Sequence, residues 1–403
     1  MSLSGPTHHP TARGPLAPLL AAALCLTAGH LASAQPAESP REPVVQPVAG
    51  TDGRWQVEIR NPRFNRVDDA RIAPFLGRDD VLWLRANTHT FLTGLDFVDG
   101  SIEFDVAPMD RTHFIAIMFR REAYDRQENI YLRPFKSGNF DAIQYAPRIN
   151  GSTWQIYPEF SVAAELPRNQ WTHVRLEVRG ERMEMYLDRA EEPALVIPRL
   201  RADARSGSVG FWARVNFDND AWSAAISNLE IGPPRSAASP PPPVEFPAGV
   251  VSAWEIAGPT EAADGPVLEL PDATEWRRID VEETGLANLN RHLGRAGRGR
   301  YTAFARRHLV AEAAGTVALQ IGYSDDVTVF LNGQPLYSGT NGWESRYPGY
   351  LGYMKLGNDT VHLPLRQGRN ELVLAVTDDQ RFGWGFAAEL PTSEGGPTLE
   401  ELR

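Results

Sequence analysis

The sequence predicts an all-β protein made of two antiparallel β-sandwich (jelly-roll) domains joined by a proline-rich linker. Three observations support this fold class: polar and apolar residues alternate along many short segments, Gly, Pro, Asn and Asp cluster between those segments, and long helical periodicity is absent. With 403 residues, the chain is long enough for two or three domains that each have a core.

Composition and charge narrow the range of partners. The formal net charge is -11 and the isoelectric point is about 5.4, which argues against a general affinity for nucleic acid or anionic membranes. Hydrophobic residues make up 42% and charged residues 23% of the chain, as in an ordinary soluble globular protein. The sequence gives no indication of oligomeric state.

The N-terminus predicts a secretory signal peptide over residues 1–34. Its apolar run "PLAPLLAAALCLTAG" is too short to span a bilayer, and "HLASAQ" places Ala32 and Ala34 before the expected cleavage point. The single cysteine, Cys25, lies inside this segment, so the mature chain would have no disulfide or thiolate ligand. We expect an exported protein, periplasmic or extracellular, with no membrane span.

Proline-rich stretches divide the rest of the chain. Residues 35–51 are expected to be a disordered lead-in, and residues 233–247, which include "SPPPPVEFP", are expected to act as a semi-rigid linker. The predicted domains are therefore 52–232 and 248–391. Residues 392–403 are expected to form a loose tail.

The first domain shows the period of a half-buried strand. In "SIEFDVA", Ile102, Phe104 and Val106 share one face, and Glu103 and Asp105 share the other. The segment "WTHVRLEVRG" repeats the pattern. Such alternation is typical of antiparallel sheets with one face in the core.

The order of these segments supports a resemblance. The series "DGSIEFDV", "FIAIMFRR", "WTHVRLEVRGERMEMYLD" and "PRLRADARSGSVGFWAR" resembles the concanavalin A-like lectin/glucanase jelly roll, over about residues 55–231. It is most similar to the laminin G-like and keto-disaccharide-hydrolase-type members. The resemblance implies a domain that binds or processes glycans, although one fold carries many functions.

The second domain has its own strand signature. The segments "TVALQIGYSD", "VTVFLNGQPLYSG", "NELVLAVTDD" and "GWGFAAEL" resemble the galactose-binding-like jelly roll of exported glycan enzymes, over about residues 276–390. That resemblance implies an accessory module. Asn332-Gly333 predicts a tight type I′ hairpin. Adjacent side chains on a strand point to opposite faces, so Asp325 and Asp326 could not both act on one substrate from a strand. They are expected instead to form a turn, with Asp326 as a turn or cap residue.

Glu103 and Asp105 are the candidate catalytic residues. Family 16 glucanases carry Glu-x-Asp-x-x-Glu on one strand, and the resemblance places Pro108 where the second glutamate would stand. Glycoside hydrolysis usually needs two carboxyl groups. Two solvated carboxylates on an outer strand face are the favoured interpretation. Whether the protein is an enzyme is left open, and a glycosidase-like hydrolase is the alternative.

A second candidate site is a cation-binding loop. Asp218 and Asp220 in "FDNDAW" offer oxygen ligands of the kind that Ca²⁺ takes. An Asx-rich turn between strands explains the same residues without a metal. No other cofactor is expected, because the histidines lack the spacing of a zinc site.

Two aromatic loops are the better functional lead. The loop "NGSTWQIYPEF" carries Trp154 and Tyr157, and "TNGWESRYPGYLGYMKLGND" carries Trp343, Tyr347 and Tyr350. These rings could contact a glycan, or they could be buried in a core or a domain contact. The sequence thus predicts an exported, non-catalytic carbohydrate-binding or cell-surface-associated protein. A purely structural role at the cell surface is the third possibility, and the sequence names no sugar.

Overall fold

The computed structural model describes residues 44–59, 69–235, 241–271, 275–294 and 299–390, and a short strand at 399–400. The chain divides into the units Met1–Glu42 and Pro43–Arg403, and the described residues belong to the second. The predicted signal peptide lies outside them. Within these ranges, no helix has the length and apolar character needed to cross a membrane.

The first sandwich consists of two sheets in which the named strands pair antiparallel. Sheet 1 has the order β1 (Val44–Pro47), β2 (Trp55–Ile59), β5 (His89–Leu92), β15 (Ser208–Arg214), β7 (Phe114–Ala123), β8 (Arg126–Leu132), β9 (Ile143–Tyr145) and β11 (Ser161–Val162), with β10 (Arg148–Ile149) beside β8. Sheet 2 has the order β14 (Leu195–Ile197), β13 (Arg182–Leu187), β12 (Thr172–Arg179), β6 (Gly100–Pro108), β16 (Trp222–Gly232), β4 (Leu82–Arg85) and β3 (Ala70–Ile72).

The second sandwich is also antiparallel. Sheet 3 has the order β18 (Arg277–Asp280), β17 (Ala253–Glu261), β20 (Tyr301–Ala311), β25 (Gly368–Asp378), β22 (Asp326–Leu331) and β23 (Gln334–Thr340), with β27 (Leu399–Glu400) beside β20. Sheet 4 has the order β19 (Leu286–Asn288), β26 (Gly385–Glu389), β21 (Gly315–Ser324) and β24 (Asp359–Leu365). The helical pieces named in the described ranges are short: α1 (Leu289–His292) and the 3₁₀ turns Pro134–Lys136 and Pro158–Phe160.

The all-β prediction is confirmed, and alternation explains it. Ile102, Phe104 and Val106 are almost fully buried in the first core, so Glu103 and Asp105 point away from it. In the second sandwich, Val327, Val329 and Leu331 face the core between sheets 3 and 4, and Phe330 packs on the opposite side. The apolar residues on the core side of each strand fix its register, because a slip of one residue would turn them away from the core.

The predicted Asn-Gly hairpin is present between β22 and β23. Asn332 has φ of 50° and Gly333 has φ of 78°, and Leu331 pairs with Gln334 across the turn. Both central residues thus adopt the positive φ that a type I′ turn requires.

Gly333→Ala is expected to lower the free energy of unfolding by about 1 kcal/mol, because an added Cβ disfavours this left-handed conformation. Among the described residues, no heavy atom lies within 4 Å of the added Cβ. Any loss of stability would therefore come from the backbone conformation and not from a steric clash. Gly294→Ala is the matched control, since Gly294 has equally open space and lacks a positive φ in that range. Urea denaturation measures both variants; equal losses would contradict the assignment.

Two segments predicted to lack structure contain short strands. Residues 44–47 of the expected lead-in form β1, the edge strand of sheet 1, where Pro47 is tolerated because an edge leaves amide positions unpaired. In the predicted tail, residues 399–400 form β27 against Val310 and Ala311. In both pieces, pairing with the exposed edge of a sheet compensates for weak local strand propensity.

The two sandwiches have separate cores that meet at an apolar contact. Leu286, Met354 and Ala387 of the second sandwich belong to the buried cluster of the first. Polar contacts join them as well: the Ser324 hydroxyl lies 2.9 Å from Oε1 of Gln155. The predicted linker is therefore one of several connections between the sandwiches, although residues 236–240 within it lie outside the described part of the chain.

Candidate functional site

One row of residues crosses the outward face of sheet 1. Cross-strand partners in register are Glu58 with His89, His89 with Trp212, Trp212 with Ala116, Ala116 with Tyr131, and Tyr131 with Gln144. Partners that lie opposite each other in a ladder have side chains on the same face. The row therefore draws one residue from each of six strands.

Aromatic rings dominate the middle of this row. The rings of His89 and Trp212 stack with centroids 5.7 Å apart, and Tyr131 lies 5.9 Å from Trp212. Phe114 contacts Trp212 at 6.2 Å, and Tyr124 meets the edge of His89 at 5.3 Å. The three central rings are at least nine-tenths buried, whereas Phe114 and Tyr124 are partly exposed. The row thus has a packed floor and accessible rings at its margins.

The second sandwich extends this surface. Trp154 packs against the same cluster, and its ring lies 5.3 Å from Phe382, which lies 6.3 Å from Trp343. Trp343 is 43% exposed. The sequence predicts Trp154 and Trp343 as ligand-binding residues of two different loops. The fold brings the two rings together through Phe382. We call the surface formed by these eight rings, including His89, the aromatic face.

The residue that joins the two predicted loops was missed in the sequence analysis. Phe382 lies in "DDQRFGWGF", just before the strand β26. The signal that could have identified it is an aromatic residue beside glycines outside a strand pattern, as in the two loops that were recognised. Its proximity to Trp154 depends on the packing of the two sandwiches, which no local pattern encodes.

An arginine orders the centre of the aromatic face. The Arg133 guanidinium lies 5.9 Å from the Phe114 ring and 5.8 Å from the Trp154 ring. It forms an ion pair with Asp141 at 2.9 Å and also bonds to Oε1 of Gln144. Cations over aromatic rings are attracted by the ring quadrupole. Arg133 therefore fixes the position of Trp154 relative to sheet 1.

A second polar group lies at the opposite margin. Gln127 and Arg148 are cross-strand partners, and the Arg148 guanidinium lies 4.4 Å from the Tyr124 ring centroid. Burial alone would lower the pKa of Arg148, but Tyr131 and Tyr124 raise it. Both amide atoms of Gln127 are buried without a hydrogen-bond partner among the described residues. This amide is a donor and acceptor pair close to the aromatic rings.

The other predicted aromatic residues lie elsewhere. Tyr157 is fully buried between the sandwiches, and its hydroxyl donates to Glu282 at 2.8 and 2.9 Å. This burial does not fit the glycan-facing role predicted for Tyr157, because its ring has no face open to solvent. Tyr347 and Tyr350 form a pair of their own at 5.0 Å, in which Tyr347 is 60% exposed and the Tyr350 hydroxyl donates to Asn341.

Glu103 and Asp105 lie on the outward face of sheet 2, on the side of the sandwich opposite the aromatic face. His173 lies between them, with Nε2 3.0 Å from Glu103 and Nδ1 2.8 Å from Asp105. Arg235 bonds to the second oxygen of Glu103, and Asn228 donates to the second oxygen of Asp105 at 2.8 Å. The expectation of two solvated carboxylates was wrong, since the side chains around them leave both largely buried.

The lowered pKa of Asp105 opposes a role for this residue as a general acid. Burial acts to raise the pKa of Asp105, but the hydrogen bonds from His173 and Asn228 and the charge of Arg78 outweigh it, so the pKa is lowered. A general acid needs a raised pKa. A water or sugar hydroxyl would also have to displace an existing partner before either carboxylate could act on it.

In the predicted calcium loop, both carboxylate oxygens of Asp218 already contact other groups of the protein. One oxygen of Asp218 accepts the backbone N–H groups of Asp220 and Ala221, both at 3.1 Å, which is an Asx turn. Its other oxygen forms an ion pair with Arg111 at 2.5 Å. Within the described ranges, no three His, Cys, Asp or Glu side chains come together in a metal-binding group. Calcium binding by Asp218 and Asp220 stays a prediction.

Comparisons with known proteins show similarity at the level of β-sandwich domains. No family model matches the chain, and no curated protein does. Solved structures that are similar include the carbohydrate-binding module CBM66 from Bacillus subtilis, with 16% identity, a TM-score of 0.29, and coverage of 38% of this chain and 86% of that chain. The VIP36 exoplasmic/lumenal domain in its Ca²⁺/Man3GlcNAc-bound form has 10% identity, a TM-score of 0.33, and coverage of 49% and 93%.

A third similar structure is domain 4 of AbnA, a GH43 extracellular arabinanase from Geobacillus stearothermophilus, in complex with arabinotriose. It has 15% identity, a TM-score of 0.25, and coverage of 40% of this chain and 72% of that chain. These neighbours are carbohydrate-binding or glycosidase-associated sandwich domains by their descriptions. Their identities and TM-scores are too low to carry an argument about the ligand of this chain, which must come from its own geometry.

Proposed function

We propose that this chain is an exported, non-catalytic carbohydrate-binding protein whose glycan lies along the aromatic face. The observation that carries the proposal is the union of the sheet 1 row with Trp154, Phe382 and Trp343 in one surface. A series of rings on a rigid support suits a chain of sugar units better than a single small molecule.

The chemistry of the face matches that of a glycan. A pyranose ring has apolar C–H faces and a hydroxylated rim, so it needs flat apolar surfaces next to hydrogen-bonding groups. The partly exposed rings of Phe114, Tyr124 and Trp154 supply the first, because aromatic side chains combine large apolar area with rigid shape. Arg148, which is partly exposed, supplies the second at one margin. Ligand sites usually combine many apolar groups with a few polar ones.

The export part of the proposal rests on the N-terminal sequence. The apolar run and the small residues Ala32 and Ala34 have the form of a cleaved signal. An exported protein with such a face would meet polysaccharides at the cell surface or in the surroundings. Amino-terminal sequencing of the protein recovered from its native host tests this part, and a mature protein that begins at Met1 would contradict it.

Trp343→Ala and Phe382→Ala are each expected to weaken polysaccharide binding about fivefold, since one aromatic contact contributes on the order of 1 kcal/mol beyond area burial. Affinity electrophoresis in gels containing different polysaccharides, with and without calcium, measures the effect. Phe217→Ala is the matched control, because Phe217 is a fully exposed aromatic residue outside the aromatic face. Retained affinity in both variants, or an equal loss in the control, would sink the proposal.

A further inference from the structure

A cavity of about 380 Å³ lies on the second sandwich, beside the β17–β20 pairing and away from the rings of the aromatic face. The residues that give it its character are Trp254, Arg278, Arg306, Arg307, His308 and Arg369. Its size falls in the range of small-molecule sites. Nothing in the proposed glycan binding uses this cavity.

The lining of the cavity is strongly basic. Among the described residues, four arginines and one histidine line it against a single acid, Glu255. Glu255 is paired with Arg306 at 3.0 Å. Arg278 contacts Asp280 at 3.4 Å, at the rim. The concentration of cations is unusual in a chain whose formal net charge is -11.

One donor at the cavity has no ion-pair partner in the described part of the chain: Arg369 is exposed and forms no ion pair there. Trp254 borders the cavity but packs into the core between sheets 3 and 4, with its ring 5.0 Å from Phe386, so its indole N–H does not serve a bound anion. The Arg369 guanidinium is therefore the group that a bound anion would pair with.

The pKa of the His308 imidazole reflects the charges that surround it. Burial lowers the pKa of His308, and the charges of Arg369 and Arg306 lower it further, while Glu371 and Glu255 oppose them. Both arginines are therefore close enough to repel a proton on the imidazole. An anion in the cavity would reverse this effect, which makes His308 a reporter of occupancy.

We propose that this cavity binds an oxyanion, as carried by an acidic sugar or by free sulfate or phosphate. Guanidinium groups match carboxylate, sulfate and phosphate oxygens with paired N–H donors. Arg369, Arg306 and Arg278 provide such donors, because the strand pairing places them with His308 on one face of sheet 3. The proposal is independent of the aromatic face, because the two surfaces share no residue.

Calorimetric titration with sulfate, phosphate, galacturonate and neutral galactose at constant ionic strength tests the proposal. Saturable binding of at least one anion is expected, with no binding of galactose. Galacturonate binding alone would identify an acidic sugar, and sulfate or phosphate binding alone would identify a free anion. The absence of saturable binding for all three anions would overturn the proposal.

Arg369→Gln is expected to weaken the anion at least tenfold. Arg366→Gln is the matched control, since Arg366 is an exposed arginine three positions away that does not line the cavity. Equal losses of anion affinity in both variants would show that the anion is attracted by diffuse surface charge, and this result would overturn the proposal. An NMR titration of the His308 imidazole, assigned with His308→Asn, should show its pKa rising when the anion is added. Polysaccharide binding should be unchanged in Arg369→Gln, which separates this test from that of the aromatic face.

Discussion

Replacing Arg201 with alanine is expected to lower the free energy of unfolding by about 3 kcal/mol, because the change removes a buried cation and leaves the partly buried Glu283 without its ion-pair partner. Arg201 is 3% exposed and belongs to the first sandwich. Its guanidinium bonds both oxygens of Glu283 in the second sandwich, one of them at 2.5 Å, and lies 3.6 Å from Glu282. The expected loss therefore reflects both a buried charge pair and the contact between sandwiches.

Arg205→Ala is the control for this change. Arg205 is 74% exposed and, among the described residues, forms an ion pair only with Glu181, at 3.4 Å, so its loss should cost less than about 1 kcal/mol. A double-mutant cycle with Arg201→Met and Glu283→Gln should show that the pair of changes costs less than the sum of the single ones. Chemical denaturation measures each variant. An Arg201→Ala protein as stable as Arg205→Ala would refute the buried-pair explanation.

A second large effect is expected from the protonation of Asp325. Its carboxyl is 1% exposed, accepts the backbone N–H groups of Asp379 and Gln380 at 2.8 and 2.6 Å, and has Asp378 nearby. Burial, with a further contribution from the charge of Asp378, raises its pKa to about 7. The folded protein therefore holds a proton that the unfolded chain releases near pH 4.

The sign of the pH effect follows from this raised pKa. The contribution of Asp325 to stability is fully present below about pH 4 and is lost as the pH rises through about 7, a change of roughly 4 kcal/mol at about 1.4 kcal/mol for each pKa unit. Asp325→Asn keeps an acceptor for the two N–H groups and cannot ionise. Its stability relative to the native protein should therefore increase from pH 4 to pH 8.

Urea denaturation at several pH values between 4 and 8 measures this difference. Asp280→Asn serves as the control, because the side chain of Asp280 is 78% exposed and its change should leave the pH profile parallel to that of the native protein. A parallel profile for Asp325→Asn would refute the assignment of a buried, protonated carboxyl.

Local patterns were sufficient to predict the strands. Alternation placed Ile102, Phe104 and Val106 in a core, and the Asn332-Gly333 pair defined its hairpin, because both depend on residues that are neighbours in sequence. The role of the Asp-Asp pair was less accurately predicted. A structural function was expected for Asp326 as a turn or cap residue, but Asp325 caps the turn at residues 378–381, while Asp326 forms an ion pair with Arg300 at 3.1 Å.

The candidate site was only partly predictable, because it depends on long-range register. Six strands distant in sequence contribute one residue each to the row, and no single strand shows that its outward residue will meet the next. Trp212, for example, follows a buried Phe211 in a segment that was predicted only as a strand. Likewise, Tyr157 resembled a loop residue, and only the packing of the second sandwich shows that it is covered.

The apolar contact between the two sandwiches limits where the chain could be divided into independent modules. A proline-rich linker usually marks a point where evolution can shuffle or delete a module. Here a fragment ending at residue 232 would leave the apolar partners of Leu286, Met354 and Ala387 in water, and would leave Arg201 without Glu283. We expect that natural truncation at the linker would yield an aggregation-prone product, so the two halves should be inherited together despite a boundary that looks dispensable.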